Sequence, residues 1–201
     1  MSRTTSGTTA DAIRAAALRI LEDEGPAAVS LRRVAAAVGI TPMAIYHHFP
    51  SREALLHDVC NAEFNRHAAV LLTRQSEAGG SIEVRLRRNL ETFLDFALRR
   101  PHVYDFVFSQ PRPGARRYPE AFKARRSPTA NVLADLVAEA MRTGLFRKGD
   151  VWETTLMMSA QTQGLITLWR GERFSLSEKE FRALCLRVAR RLVDGFKNPS
   201  R

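Results

Sequence analysis

Tyr46, His47 and His48 stand in an unbroken row in the first quarter of a 201-residue chain. Three polar rings in succession make poor core material, but each can donate a hydrogen bond to an anionic oxygen. A phosphate backbone offers such oxygens along a regular track. Arg52 follows, and Arg32 and Arg33 precede, as fixed cations. Arg32 is long enough to bridge two acceptors on a guanine edge, whereas Arg33 suits either a phosphate or the helix before it. Pro42, Met43 and Ala44 are apolar and suit contact with thymine methyl groups. The candidate contacts with double-stranded DNA are therefore Arg32, Thr41, Pro42, Met43, Ala44, Tyr46, His47, His48 and Arg52. Phe49 is read as core.

Positioning such a set requires two short helices at a fixed angle. In Ser30–Phe49, Ser30 is a good N-cap, and Val29 and Val34 are spaced for a hydrophobic staple. Leu31, Val34, Ala35 and Val38 recur at helical spacing. Gly39 follows where the chain must leave the helix through a left-handed residue. Thr41 caps the next helix with Pro42 at its first position, where a missing N–H costs nothing. Ile40 and Ile45 repeat the staple. Ala35 is small where the helices cross. The pattern predicts a helix-turn-helix whose second helix lies in a major groove, with Thr41 presenting its amides to a phosphate. A first helix over about Thr9–Glu24, apolar at Ile13, Ala17, Ile20 and Leu21, roofs the pair, and Gly25-Pro26 end it. The arm before it, with Arg3, reads as a disordered tail.

The run Val29–Leu56, VSLRRVAAAVGITPMAIYHHFPSREALL, resembles the DNA-binding domain of TetR-type (TetR/AcrR) transcriptional regulators. The shared features are the Gly39 turn, the short second helix, Tyr46-His47-His48-Phe49 and the basic Arg52 opening the next helix. The resemblance implies a homodimer with one reading head per subunit. It also implies a larger helical C-terminal domain that binds a small inducer.

Other chemistries find little support. There is no HExxH, no glycine-rich phosphate loop and no cluster of cysteine and histidine. His47 and His48 diverge on a helix, and His57, His67 and His102 are scattered. No catalytic residue, metal ligand or cofactor is predicted. Cys60 and Cys185 provide no disulfide framework and read as core. MSRTTSGTTA lacks an apolar signal region, and no run reaches the roughly 20 apolar residues of a membrane span. A cytoplasmic protein is expected. The net charge of +10 permits DNA binding without arguing for it. Residues 1–50 hold five arginines against four acidic residues, while Arg112, Arg116, Arg117, Lys123, Arg125 and Arg126 face Glu120 alone.

The remainder reads as all-α, with domains over 1–50 and 51–201. Ser51 caps a helix to about Ser76, broken at Ala78-Gly79-Gly80; this is the lever between domains. Ile82–Arg100 follows, then an aromatic segment Val103–Phe108, a PRPGARR loop, and Pro119–Met141, interruptible near Pro128. Asp150 caps a penultimate helix on which Ala160, Gly164 and Leu168 form a stripe that admits close approach of another helix. Ser177 and Glu180 form a capping box opening the last helix, whose apolar face is Phe181, Leu184, Val188, Leu192 and Phe196. The family likeness implies that these two helices build a four-helix dimer bundle; periodicity alone suits internal packing equally. A single head makes few phosphate contacts, which favours the dimer.

A ligand site is less sharply written. Thr155, Ser159 and Gln163 recur at spacing four beside Trp152, and Phe93, Phe96, Tyr104, Phe108 and Trp169 could supply an apolar wall. The same residues could equally form ordinary core with internal hydrogen bonds. The expected function is sequence-specific repression at a palindromic operator, relieved by a small molecule. A non-specific architectural DNA binder is the alternative, and would carry its basic excess on the head.

Overall fold

Helical punctuation in the sequence is met by helices throughout. The computed structural model describes residues 4–111 and 114–199, and among these there is no β-strand. Among the described residues ten α-helices follow one another: α1 Thr4–Glu24, α2 Leu31–Val38, α3 Pro42–Tyr46, α4 Arg52–Ala78, α5 Ile82–Arg99, α6 Pro101–Tyr104, α7 Glu120–Lys123, α8 Pro128–Arg142, α9 Val151–Arg170 and α10 Glu178–Phe196. A 3-10 turn, Pro26–Ala28, joins α1 to α2, and a π-helical turn, Asp105–Ser109, continues α6. Residues 1–3, 112–113 and 200–201, which include Arg3 and Arg112, lie outside the described residues.

The chain divides into two compact units that interrupt one another: Met1–Arg66 with Phe96–Ala115, and His67–Asp95 with Arg116–Arg201. The expected boundary at residue 50 thus falls inside the first unit. Helices α4 and α5 each contribute to both.

In the first unit, α1 begins at Thr4, about one turn earlier than expected. Its apolar stripe starts only at Ile13, so the packing signal gives out before the helix does. Ile13, Ala17 and Leu21 are fully buried, with Val29, Val34, Ala35 and Ile45 from the helix pair. Shortening Ile45 to Ala in such a site would cost about 3 kcal/mol through lost burial and the cavity left behind. From α4 come Leu55, Leu56, Val59 and Cys60. An aromatic group closes the unit: Phe108 stacks on Tyr104 at 5.6 Å and meets Phe64 and Phe96 edge-on at 5.3 and 6.0 Å.

In the second unit, α8 is buried along Val132, Leu136, Val137 and Ala140. Leu86, Leu136, Ala140, Phe146 and Val193 form one core cluster, and Ala68, Leu71 and Val132 another. The expected Pro119–Met141 helix is two, α7 and α8, separated at Arg125, whose φ of 55° is left-handed. Asp150 accepts from the amides of Trp152 and Glu153 to cap α9, and the Ser177–Glu180 capping box opens α10. The single apolar face expected for α10 is two. Phe181, Cys185 and Val193 are buried, while Leu184, Val188 and Leu192 stay half-exposed along a neighbouring stripe. Among the described residues no helix is long and apolar enough to cross a membrane.

Candidate nucleic-acid interface

The reading head is built by its caps. The Ser30 hydroxyl accepts from the amide of Arg33 at 3.2 Å and starts α2. Gly39 ends it at φ 75°, where its amide reaches the carbonyls of Ala35 and Ala36. Thr41 accepts from the amide of Ala44 at 3.2 Å and opens α3 at Pro42. Ile45 points inward and is wholly buried, which turns its neighbours outward. Met43 is 70% exposed and Tyr46 53%. Thr41, Pro42 and His47 are also exposed, and Ala44 and His48 half-exposed. A thioether and a phenol are thus left open to solvent on a five-residue helix.

α3 is shorter than the sequence implied, ending at Tyr46, so His47 and His48 lie in the turn that follows. The amides of His48 and Phe49 bond back to the Ile45 carbonyl at 3.0 and 2.9 Å. Phe49 is buried, as expected.

The arginines part company. Arg32 is exposed on α2. Arg33 turns to α1 and makes a two-pronged ion pair with Glu24. That contact holds the Glu24 carboxyl below its usual range. Arg52, expected as a phosphate contact, is instead bonded within the head. Its Nε donates to the carbonyl of Val29 at 2.7 Å and one Nη to that of Pro26 at 2.6 Å. These carbonyls lie 23 and 26 residues back in the chain, beyond any local spacing rule. Arg52 braces the α1–α2 turn onto the start of α4.

The nine residues expected at a ligand site divide between the units. Phe96, Tyr104 and Phe108 belong to the aromatic group of the first. Phe93 meets the His67 ring at 5.7 Å, Trp152 meets Phe122 edge-on at 5.9 Å, and Trp169 stacks on Phe181 at 4.5 Å. Thr155 is fully buried and donates to the Val151 carbonyl at 2.7 Å, an ordinary intrahelical bond. Ser159 and Gln163 are half-exposed. Gln75 and Asn89, which belong to no motif, are buried polar residues on the apolar sides of α4 and α5. The signal that marks them in the sequence is an amide at a core position of each apolar repeat.

An all-helical chain with a capped helix-turn-helix presenting exposed side chains is a DNA-binding regulator by architecture. Comparison with known proteins agrees. Residues 13–59 match the family described as bacterial regulatory proteins, tetR family, and residues 86–192 match the tetracyclin repressor-like C-terminal domain. The chain belongs to the TetR family of transcriptional regulators. It is similar to a nucleoid occlusion factor, SlmA, from Marinobacter nauticus, with 27% identity over 82% of each chain. A structure of a protein with unknown function from Rhodococcus sp. RHA1 shares the fold with a TM-score of 0.81. It has 23% identity over 98% of this chain and 100% of that one. The FadR regulator from Bacillus subtilis, solved in complex with stearoyl-CoA, shares the fold with a TM-score of 0.72. It has 16% identity over 92% and 98% of the two chains.

Proposed function

We propose that this chain is a homodimeric, sequence-specific repressor, released from a palindromic operator by a small molecule. The observation that carries the DNA reading is the exposed set Arg32, Met43 and Tyr46, held on a helix pair anchored by the buried Leu31, Val34, Ala35 and Ile45. Tyr46, Thr41, His47 and His48 take phosphates, and Pro42, Met43 and Ala44 lie against base edges beside Arg32. Arg52 acts indirectly, by holding the pair in place.

Dimerisation is supported by α9. Met157 and Leu168 are 54% and 46% exposed, and Ala160 and Gly164 between them are exposed too. Together with Leu184, Val188 and Leu192 on α10 they leave a broad apolar face for a second copy. Two heads then span about 34–36 Å, one turn of DNA. Helix α4 runs unbroken from Arg52 in the first unit to Ala78 in the second. Its displacement by a ligand that prefers one state alters the head spacing. That a protein of this fold has been solved with stearoyl-CoA supports a response to a small molecule.

Sedimentation of the protein on an operator duplex tests the assembly. Two chains per duplex, reduced to one or none by Gly164→Arg, is the expected result. Full affinity from a monomeric protein would refute it.

A further inference from the structure

The second unit contains a buried polar seam that its own packing does not satisfy. His67 on α4 and Phe93 on α5 meet ring to ring at 5.7 Å, which fixes the register of these antiparallel helices. One turn along α4 from His67 is Leu71 and a second is Gln75; one turn back along α5 from Phe93 is Asn89 and a second is Arg85. Asn89 therefore lies level with Leu71, and Gln75 with Arg85. Gln75 and Asn89 are only 7% and 8% exposed. Gln75 Nε2, Asn89 Nδ2 and Arg85 Nε are buried with no hydrogen-bond partner among the described residues. Thr92, also buried, is satisfied by the Arg88 carbonyl at 2.8 Å.

Each unmatched donor costs about 1–3 kcal/mol, so a seam that keeps three of them favours a guest that supplies acceptors. The guest's charge is also constrained. The one cation of the three, Arg85, is already ion-paired with Glu139. A charged ligand would lack a counterion, and burying it would be costly. The neighbours are apolar: Ala68 and Leu71 pack with Val132, and Leu86 with Leu136.

We propose that the α4–α5 seam recognises the ligand, and that the ligand is a neutral, carbonyl-bearing molecule with an apolar body, held by the Gln75 and Asn89 amides. This rests on the ligand-responsive reading above. An amide, ketone, ester or lactone on an aliphatic frame fits; a free carboxylate or an ammonium does not.

Octanamide, with sodium octanoate at pH 8 as the charged control, tests this on the full chain and on Asn89→Leu and Gln75→Met. Without probe, both variants should melt at or above the wild-type temperature, because each deletes an unmatched donor. Octanamide should raise the wild-type melting temperature and octanoate should not. Affinity for octanamide should fall roughly tenfold or more in each variant, the loss of one hydrogen bond to a buried donor. Variants that melt well below wild type would show that the amides are structurally paired and overturn the assignment. So would equal binding of the two probes, or octanamide binding that the variants leave intact, or no binding at all. Release of DNA by a solvent extract of the source cells separates this from the underlying reading. Release of wild type and variants alike would sink the seam but keep ligand response; release of neither would sink both.

Discussion

Arg100, at the junction of α5 and α6, donates through one Nη to Glu63 Oε2 on α4 at 2.5 Å, and the Glu63 side chain is only 3% exposed. The same guanidinium reaches Glu22 on α1 and lies over the Phe96 ring at 5.7 Å. Three helices of the first unit thus share one cation. Arg66 completes the arrangement, gripping Glu63 with two hydrogen bonds at 2.8 and 3.0 Å.

Removing Arg100 leaves Glu63 buried with only a half-exposed arginine beside it. Breaking a buried pair from one side is more damaging than never having built it. Arg100→Met should lower stability by about 3 kcal/mol in urea unfolding, with a matching loss of operator affinity, because α1 roofs the reading head. An unchanged midpoint would mean that the network is ornamental.

Burial pushes the Glu63 carboxyl above its usual range against the pull of Arg66, and Glu22 is raised for the same reason. A carboxyl raised on folding holds its proton more tightly in the native state, so its contribution to stability is present at low pH. It is lost as pH rises through the native value. Glu63→Gln lacks that loss. Its stability relative to wild type should therefore climb as pH rises above the ordinary glutamate value of 4.5, as paired urea titrations would reveal. A flat difference would contradict the assigned cause.

Gly39 sits at φ 75° with open space where a Cβ would stand. The penalty for any other residue is therefore purely one of backbone conformation. Gly39→Ala should cost about 1–2 kcal/mol, and Gly39→Asn less, since asparagine tolerates this region. Thermal melts decide it; equal melting of Ala and Gly forms would disprove the left-handed turn.

Burial raises the Cys185 thiol to about 11, and Cys60 is buried as well. At pH 8 the native protein should react with a thiol reagent only at the rate of its own opening, and the unfolded chain at both cysteines. Fast native labelling of Cys185 would refute its place in the core.

Local chemistry is largely legible in the sequence. Ser30, Thr41, Asp150 and Ser177 each cap the helix they precede because capping is decided within three or four residues. Gly39 and Ile45 are equally local. What local spacing does not carry is long-range. Arg52 reads as a phosphate contact, and nothing near it in sequence announces the carbonyls of Val29 and Pro26 that its guanidinium meets. The α10 stripe looked single because Leu184 and Cys185 differ by one position, and only the packing of α9 and the Phe146 segment tells core from open face. The aromatic residues grouped by type as one ligand wall were sorted by the fold into separate partners. Gln75 and Asn89 were visible as amides in apolar repeats, but their meaning depends on what fails to meet them.

Titration of the purified protein against a duplex from its own upstream region, beside a scrambled duplex and at two salt concentrations, separates sequence-specific from purely electrostatic binding. A marked preference for one palindromic site is expected. Tyr46→Phe should weaken binding to every duplex and flatten the salt dependence, and Arg32→Ala should relax selectivity at one base pair. Equal, salt-sensitive binding to both duplexes, or indifference to both substitutions, would contradict it.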